Sequence, residues 1–225
     1  MENNKVTVII PARNEEETIE EVIKIAKNSY LTDEIIVVDN NSTDNTADIS
    51  KKCGTTVIKC DNIGKGYAMT QGIKYASNDI IIFLDADVLN YKTNIIEILA
   101  LPVINNEADF VKSTFDRATG GKVTKIAIKP LLKILYPDLY EFQEPISGMI
   151  ACKKSILEKM NFEVDYGVDI GIVLDAYNMG LKITEVNIGQ ILNMSHNAKT
   201  MEIMEKMSFE VMRTIIKKSK EHGKI

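Results

Sequence analysis

The sequence predicts an α/β fold, a mostly parallel sheet flanked by helices, and three observations carry that expectation. Short apolar runs rich in branched residues recur along the first hundred residues, separated by stretches with helical spacing. One of them, Ile80-Ile81-Ile82-Phe83-Leu84, is apolar throughout, the pattern of a strand buried on both faces of a parallel sheet. That run leads directly into Asp85-Ala86-Asp87, which sets two carboxylates at the carboxyl end of a strand, where open α/β sheets bind ligands.

Val6–Ile10 is the first strand, broken by Pro11. Asn14 with Glu17 three residues on predicts a capping box, after which Ile19, Val22, Ile23 and Ala26 follow helical spacing. Glu34–Asp39 is the second strand. The polar stretch Asn40-Asn41-Ser42-Thr43-Asp44 predicts a turn that caps a helix reaching about Lys52. Thr56–Lys59 is a short third strand, and Gly64-Lys65-Gly66 opens a helix over Tyr67 to Ala76. With Ile80–Leu84 the order is βαβαβαβ, which means a parallel sheet wrapped by helices.

Beyond residue 90 the rhythm changes. Thr93–Leu101 reads as a helix, Phe110–Thr114 as a strand, and Phe115–Gly121, with its paired glycines, as a mobile loop. Lys122–Leu135 suits a helix that Pro130 kinks or divides. Ser147–Cys152 is strand-like, Asp169–Met179 helical, and Ile183–Ile188 another strand. A final helix, Met201–Ile216, carries Met204, Met207, Val211 and Ile215 on one face, a packing stripe rather than a lipid-binding one. Lys217, Lys218, Lys220 and Lys224 read as a solvated tail, with no role for His222. The absence of repeats and linkers predicts one domain over 1–225, with a ligand-binding half to about residue 90 and an acceptor-binding half with the last helix after it.

Composition narrows the function classes. With 45% hydrophobic and 26% charged residues the chain is ordinary for a globular protein. A net charge of -5 argues against nucleic acid as a partner, but not against an anionic ligand, because a metal or a lysine reverses the sign locally. Cys53, Cys60 and Cys152 are odd in number and lack CxxC spacing, as expected of reduced thiols in a cytoplasmic protein. The polar Met1–Lys5 leads into a strand without a signal-peptide pattern, and no apolar run reaches the ~18 residues of an integral membrane segment. A homodimer is left open.

The chemistry converges on the strand ends. While the chain stays extended, Asp85 and Asp87 point the same way and repel unless a cation joins them. A divalent metal with a phosphorylated ligand is one solution, and a plain strand-ending turn is the competing reading. A dinucleotide site fails at the first turn, where Pro11-Ala12-Arg13-Asn14-Glu15-Glu16-Glu17 offers glutamates instead of a glycine-rich phosphate loop. Such a turn suits a base or ribose, to which Asp39 also offers an acceptor. Lys65, between two glycines at a helix start, combines close backbone approach, helix amides and a mobile cation, all suited to phosphate. His196 supplies a neutral imidazole, and carboxylate plus imidazole plus diphosphate oxygens suits Mg²⁺ or Mn²⁺.

Pro11-Ala12-Arg13-Asn14-Glu15-Glu16, the strand ending at Asp39, Asn41-Ser42-Thr43-Asp44, Gly64-Lys65-Gly66 and Asp85-Ala86-Asp87 together resemble family 2-like glycosyltransferases of the GT-A fold. Ala118 to Thr124, Lys129-Pro130-Leu131-Leu132, Tyr166 to Gly171 and His196 further resemble glucosyl-3-phosphoglycerate synthases within that group. The resemblance implies a UDP- or GDP-sugar donor, Mg²⁺ or Mn²⁺, a small-molecule acceptor such as 3-phosphoglycerate, and transfer with retention. It implies a donor site of Pro11, Ala12, Arg13, Asn14, Glu15, Asp39, Ser42, Lys65, Asp85, Ala86 and Asp87, and metal ligation by Asp87 and His196. It further implies acceptor contacts from Gly121, Lys122, Val123, Thr124 and Asp169, with Asp87, Asp169 and Lys65 in catalysis. Lys122 replaces a usual Arg, Met194 and Ala198 replace an Arg and an Asn, Asp169 replaces a Glu, and Met149 another Glu. The donor chemistry therefore carries over better than the acceptor. A polyprenol-phosphate glycosyltransferase is the near alternative. A haloacid dehalogenase-type phosphatase using Asp85 as nucleophile, or a non-catalytic nucleotide-sugar binding module, are the distant ones.

Overall fold

The computed structural model describes residues 4–117, 121, 123–193 and 201–225. Its first half alternates as the spacing predicts: β1 (Val6–Ala12), α1 (Ile19–Asn28), β2 (Thr32–Asp39), α2 (Thr46–Lys52), β3 (Thr56–Lys59), α3 (Lys65–Tyr75) and β4 (Ile80–Phe83). Then come α4 (Ile95–Ile104), β5 (Phe110–Arg117), a π-helical turn (Thr124–Ile128), α5 (Lys129–Leu135) and a 3₁₀ turn (Pro137–Leu139). The chain continues through β6 (Ile150–Lys153), α6 (Lys154–Leu157), α7 (Val168–Asn178), β7 (Ile183–Ile191) and α8 (Met201–Glu221).

The seven strands lie in the order β3-β2-β1-β4-β6-β5-β7. Strands β1 to β4 pair in parallel, β6 inserts antiparallel between β4 and β5, and β7 runs parallel to β5. The two-residue alternation of strands explains why β4 is apolar at every position. Ile80, Ile82 and Leu84 face a core layer containing α1 and α4, while Ile81 and Phe83 face the layer of α3, α7 and α8. Asp85 extends the 81, 83 series toward α3 and α7, whose polar first turns await it at the sheet's carboxyl edge.

Several local expectations yield to contacts from distant parts of the chain. The capping box does not form: α1 starts after Thr18, and Asn14 sits in a left-handed conformation (φ 57°). Its Oδ1 accepts the Thr43 amide at 2.8 Å, so it ties the first turn to the second instead of capping its own helix. The expected loop after Thr114 is strand as far as Arg117, because β7 offers a parallel partner with Asp116 opposite Gln190 and Arg117 opposite Ile191. The helix expected over 122–135 is divided beside Pro130, as that residue predicts: a wide π turn passes into α5, whose first turn holds Pro130, which has no amide to donate. Ser147 to Met149 precede β6 as irregular chain.

The tail reading holds for Lys217, Lys220 and Lys224, which are exposed, and fails for Lys218 and His222. Helix α8 continues through Glu221, and Lys218 is fully buried. Its Nζ sits 2.8 and 2.7 Å from the two oxygens of Asp175 on α7, and donates to Asn161 O at 3.3 Å. His222 closes the cluster, with Nε2 3.3 Å from Asp175 Oδ1 and Nδ1 2.9 Å from the Tyr136 hydroxyl. A lysine at a helix end is solvated only if no buried carboxylate meets it, and here α7 supplies one. Among the described residues, no helix is long and apolar enough to cross a membrane.

Candidate active site

Three charged side chains from three elements meet at the carboxyl edge of the sheet. Lys65, the first residue of α3, places Nζ 2.8 Å from Asp85 Oδ1, just past β4, and 3.0 Å from Asp169 Oδ2, in the first turn of α7. Burial by itself would strip the ammonium of its proton, but the carboxylates of Asp169 and Asp85 outweigh it and hold the Lys65 pKa well above the ordinary lysine value. Burial pushes the Asp169 carboxyl up; Lys65 pulls it down and the charge of Asp85 adds to the rise, leaving it raised. The other oxygen of Asp169, Oδ1, is buried with no hydrogen-bond partner. A buried polar atom left in that state marks a place where a ligand's donor fits.

Gly148 closes the floor of this group. A Cβ there would lie 2.1 Å from Lys65 Nζ, 2.7 Å from Asp85 Oδ1 and 3.1 Å from Asp169 Oδ1, so only bare backbone fits. A similar approach occurs at the start of α3, where a Cβ on Gly66 would stand 1.7 Å from Glu163 O. The Gly66 amide donates to Val164 O at 2.9 Å and the Gly64 amide to Asn40 Oδ1 at 2.8 Å. These amides were expected to cradle phosphate. The chain itself occupies them, and Lys65 meets the site with its side chain.

Asp85 and Asp87 part company. The strand ends at Phe83 and the chain turns through Ala86 and Asp87, so strand alternation does not extend to the second carboxylate. Asp87 Oδ1 accepts from Asn193 Nδ2 at 3.0 Å, and Tyr91 donates its hydroxyl to the Asp85 carbonyl at 3.0 Å. Burial first, then the charges of Asp85 and Asp87, push the Tyr91 phenol well above its ordinary pKa. Residues 87–90 are stitched to the chain after β7, with the Leu89 amide on Leu192 O (2.9 Å) and the Leu192 amide on Asn90 Oδ1 (2.7 Å). His196, three residues beyond Asn193, lies outside the described residues, as do Ala118, Thr119, Gly120, Lys122, Met194 and Ala198.

The turn after β1 and the turn after β2 form one surface. Pro11 and Ala12 end β1, and the Asn40 amide donates to Ala12 O at 2.8 Å. The Asn14 amide donates to Ser42 Oγ (3.0 Å), Glu15's to Thr46 Oγ1 (2.8 Å) and Ser42's to Asp39 Oδ1 (3.2 Å). Arg13 is exposed beside them. Gly121, Val123 and Thr124 stand at the start of the π turn, and among the described residues no hydrogen bond or ion pair joins them to the Lys65 group. No group of three or more His, Cys, Asp or Glu side chains among the described residues closes around a cation. Mg²⁺ is commonly held by one or two carboxylates and completed by a ligand's phosphates, and Asp87 offers one carboxylate at the sheet's carboxyl edge.

Sequence reasoning missed Gly148, Tyr91, Asn193 and Lys112. Only Lys112 left a signal: it interrupts the apolar start of a strand, Phe110-Val111-Lys112. It is fully buried, and its ammonium donates to the Glu144 carbonyl.

A family model described as glycosyl transferase family 2 matches residues 7–162. Glucosyl-3-phosphoglycerate synthase of Petrotoga mobilis is 31% identical over 98% of this chain and 75% of its own length. The enzyme of that name from Mycobacterium tuberculosis (strain ATCC 25618 / H37Rv) is 32% identical over 94% of this chain and 72% of its own. A crystal structure of the Mycobacterium tuberculosis synthase with Mn²⁺, UDP-glucose and phosphoglyceric acid superposes with a TM-score of 0.89 at 32% identity, covering 96% of this chain and 80% of that one.

Proposed function

Because this chain belongs to glycosyl transferase family 2, we propose that it transfers glucose from UDP-glucose to a small phosphorylated acid of the 3-phosphoglycerate type, with retention at the anomeric carbon. The observation that carries the reading is the Lys65–Asp85–Asp169 group over Gly148, at the strand ends where such sheets bind ligands. The turns of residues 11–15 and 39–42 hold the base and ribose, and Gly121 to Thr124 with Asp169 face the acceptor.

The roles follow from charge. Lys65 is an ammonium whose neighbours keep it protonated at any working pH, so it meets the negative charge that develops on the leaving diphosphate as the anomeric bond breaks. Asp169 offers its unpartnered Oδ1 to a hydroxyl of the transferred sugar or the acceptor. Gly148 keeps the floor flat so that donor and acceptor lie side by side, which makes the attack effectively unimolecular. Asp87, with His196 completing the set, would hold Mg²⁺ or Mn²⁺, which supplies Lewis-acid neutralisation of the diphosphate when bound. In a retaining route the departing phosphate oxygen accepts the acceptor's proton and no protein base is needed. The raised carboxyl pKa of Asp169 favours one second reading, in which it serves as the base of an inverting reaction.

The test is a single purified sample with Mn²⁺, UDP- and GDP-sugars, and 3-phosphoglycerate, glycerate or polyprenyl phosphate as acceptor. Product mass identifies the acceptor and the anomeric proton coupling decides retention. Asp169→Asn lowers turnover far more than UDP-glucose binding; unchanged kinetics would remove that residue from the site.

A further inference from the structure

Lys112 lies inside β5 between Ile150 of β6 and Glu185 of β7, and carries a charge into a fully buried position. Packing does not require it, since a strand interior is filled at less cost by an aliphatic side chain. What the ammonium touches is the Glu144 carbonyl. The next two residues of β5 reach the same stretch of chain: Ser113 Oγ hydrogen-bonds Ser147 Oγ, and Thr114 Oγ1 donates to Gln143 Oε1 at 3.0 Å. From β7, the Glu185 carboxylate accepts the amides of Gln143 (3.0 Å) and Glu144 (3.3 Å). Residues 143–147 are therefore a strap tied down by three side chains of one strand and one of another. The strap ends on Gly148, where an added Cβ would fall within 3.1 Å of Lys65, Asp85 and Asp169.

We propose that Lys112 is a positioning residue for the transfer reaction: through the Glu144 carbonyl it fixes the strap that sets Gly148 against Lys65 and Asp169. The inference rests on the reading of that group as the reacting site. The charges facing the ammonium are Glu185 from β7, Asp169 from α7 and Glu144 from the strap, with Lys65 from α3 opposing them. Burial outweighs the three carboxylates and lowers its pKa to about 8. The ammonium form therefore holds the carbonyl at neutral pH, and the hold weakens as the proton leaves. Neutral amine is the poorer donor, so the strap loosens on the alkaline side.

The experiment compares wild type, Lys112→Met and Lys112→Arg with UDP-glucose and 3-phosphoglycerate between pH 6 and 9.5. Wild-type kcat falls above about pH 8. Lys112→Met loses about 100-fold in kcat at pH 7, the scale of a 1 Å misplacement, while KM for the donor moves less than about 3-fold, and its alkaline fall disappears. Lys112→Arg, permanently charged, recovers part of the rate and moves the fall beyond the range. Wild-type kcat in Lys112→Met, or reduced kcat with the alkaline fall unchanged, overturns the proposal. Should Lys112→Met not fold, lysine side-chain NMR of the wild type, assigned with Lys112→Arg, decides: titration near pH 8 supports it and titration near the ordinary lysine value overturns it. If wild type transfers no sugar to any acceptor, it is the functional reading that fails, and the same titration still judges Lys112.

Discussion

Adding one methyl group at Gly148 separates the chemistry of the site from the stability of the fold. The new carbon of Gly148→Ala would lie 2.1 Å from Lys65 Nζ and 2.7 Å from Asp85 Oδ1. Comfortable contact begins at about 3.5 Å, so the ammonium must retreat by more than about 1 Å. That retreat breaks at least one of its two ion pairs, 2.8 Å to Asp85 and 3.0 Å to Asp169. Gly148 is not among the glycines with a left-handed backbone, and the obstructing atoms end flexible side chains, so the fold tolerates the change. A displacement of this size at a reacting group costs about 100-fold in kcat/KM, or about 2.7 kcal/mol of transition-state stabilisation. The assay is UDP release with 3-phosphoglycerate as acceptor, alongside the thermal midpoint. Near-wild-type kcat/KM would refute the assignment of Lys65, Asp85 and Asp169 to the reacting site. A collapsed midpoint would show that the glycine serves the fold instead.

Three further outcomes follow from the geometry. Lys218→Met strands the buried Asp175 carboxylate, which retains only the Asn161 amide (3.0 Å) and His222 (3.3 Å), and should cost about 3 kcal/mol. For a chain of this length that is a fall of about 6–12 °C in melting temperature; a loss under 1 kcal/mol contradicts the burial argument. Asp87→Ala, or removal of divalent metal by a chelator, should abolish transfer in a protein that melts as wild type does, and turnover at the normal rate in either case rejects Asp87 as a ligand. Lys112 also links stability to pH. Its pKa drops from 10.5 to about 8 on folding, so between those values the unfolded chain binds a proton that the folded one does not. The contribution of Lys112 to stability is therefore present above 10.5 and lost as pH falls through about 8, a change of about 3 kcal/mol. Unfolding free energies of wild type and Lys112→Met from urea titrations at pH 7.5 and 10 should differ by about 2 kcal/mol more at the lower pH, and a difference that does not change with pH contradicts it.

The first four strands and their helices were legible because each is a local pattern: an apolar run, a polar turn, a helical spacing. Lys65 and Asp85 were legible for the same reason, as residues at recognisable strand-to-helix junctions. What escaped depends on partners far along the chain. Asn14 pairs with Thr43 rather than with its own helix, and the strand character of Asp116 and Arg117 rests on β7. Lys218 is buried because α7 presents Asp175. No local pattern announces that β6 will slip antiparallel between β4 and β5. Gly148 is the sharpest case, since its importance lies wholly in three side chains that folding brings against it.

The start of α3 bears on how a product leaves. The amides of Gly64 and Gly66 are spent on Asn40 and Val164, so neither is left to meet an anion. The cation is carried on a swinging arm, and that arm has two resting berths, Asp85 and Asp169. In the proposed reaction a departing diphosphate is exchanged for carboxylates already in place, so emptying the site leaves no bare charge behind. Turnover then resembles ion exchange on a resin: each anion is released by the arrival of another, and the resting enzyme is the form loaded with its own aspartates.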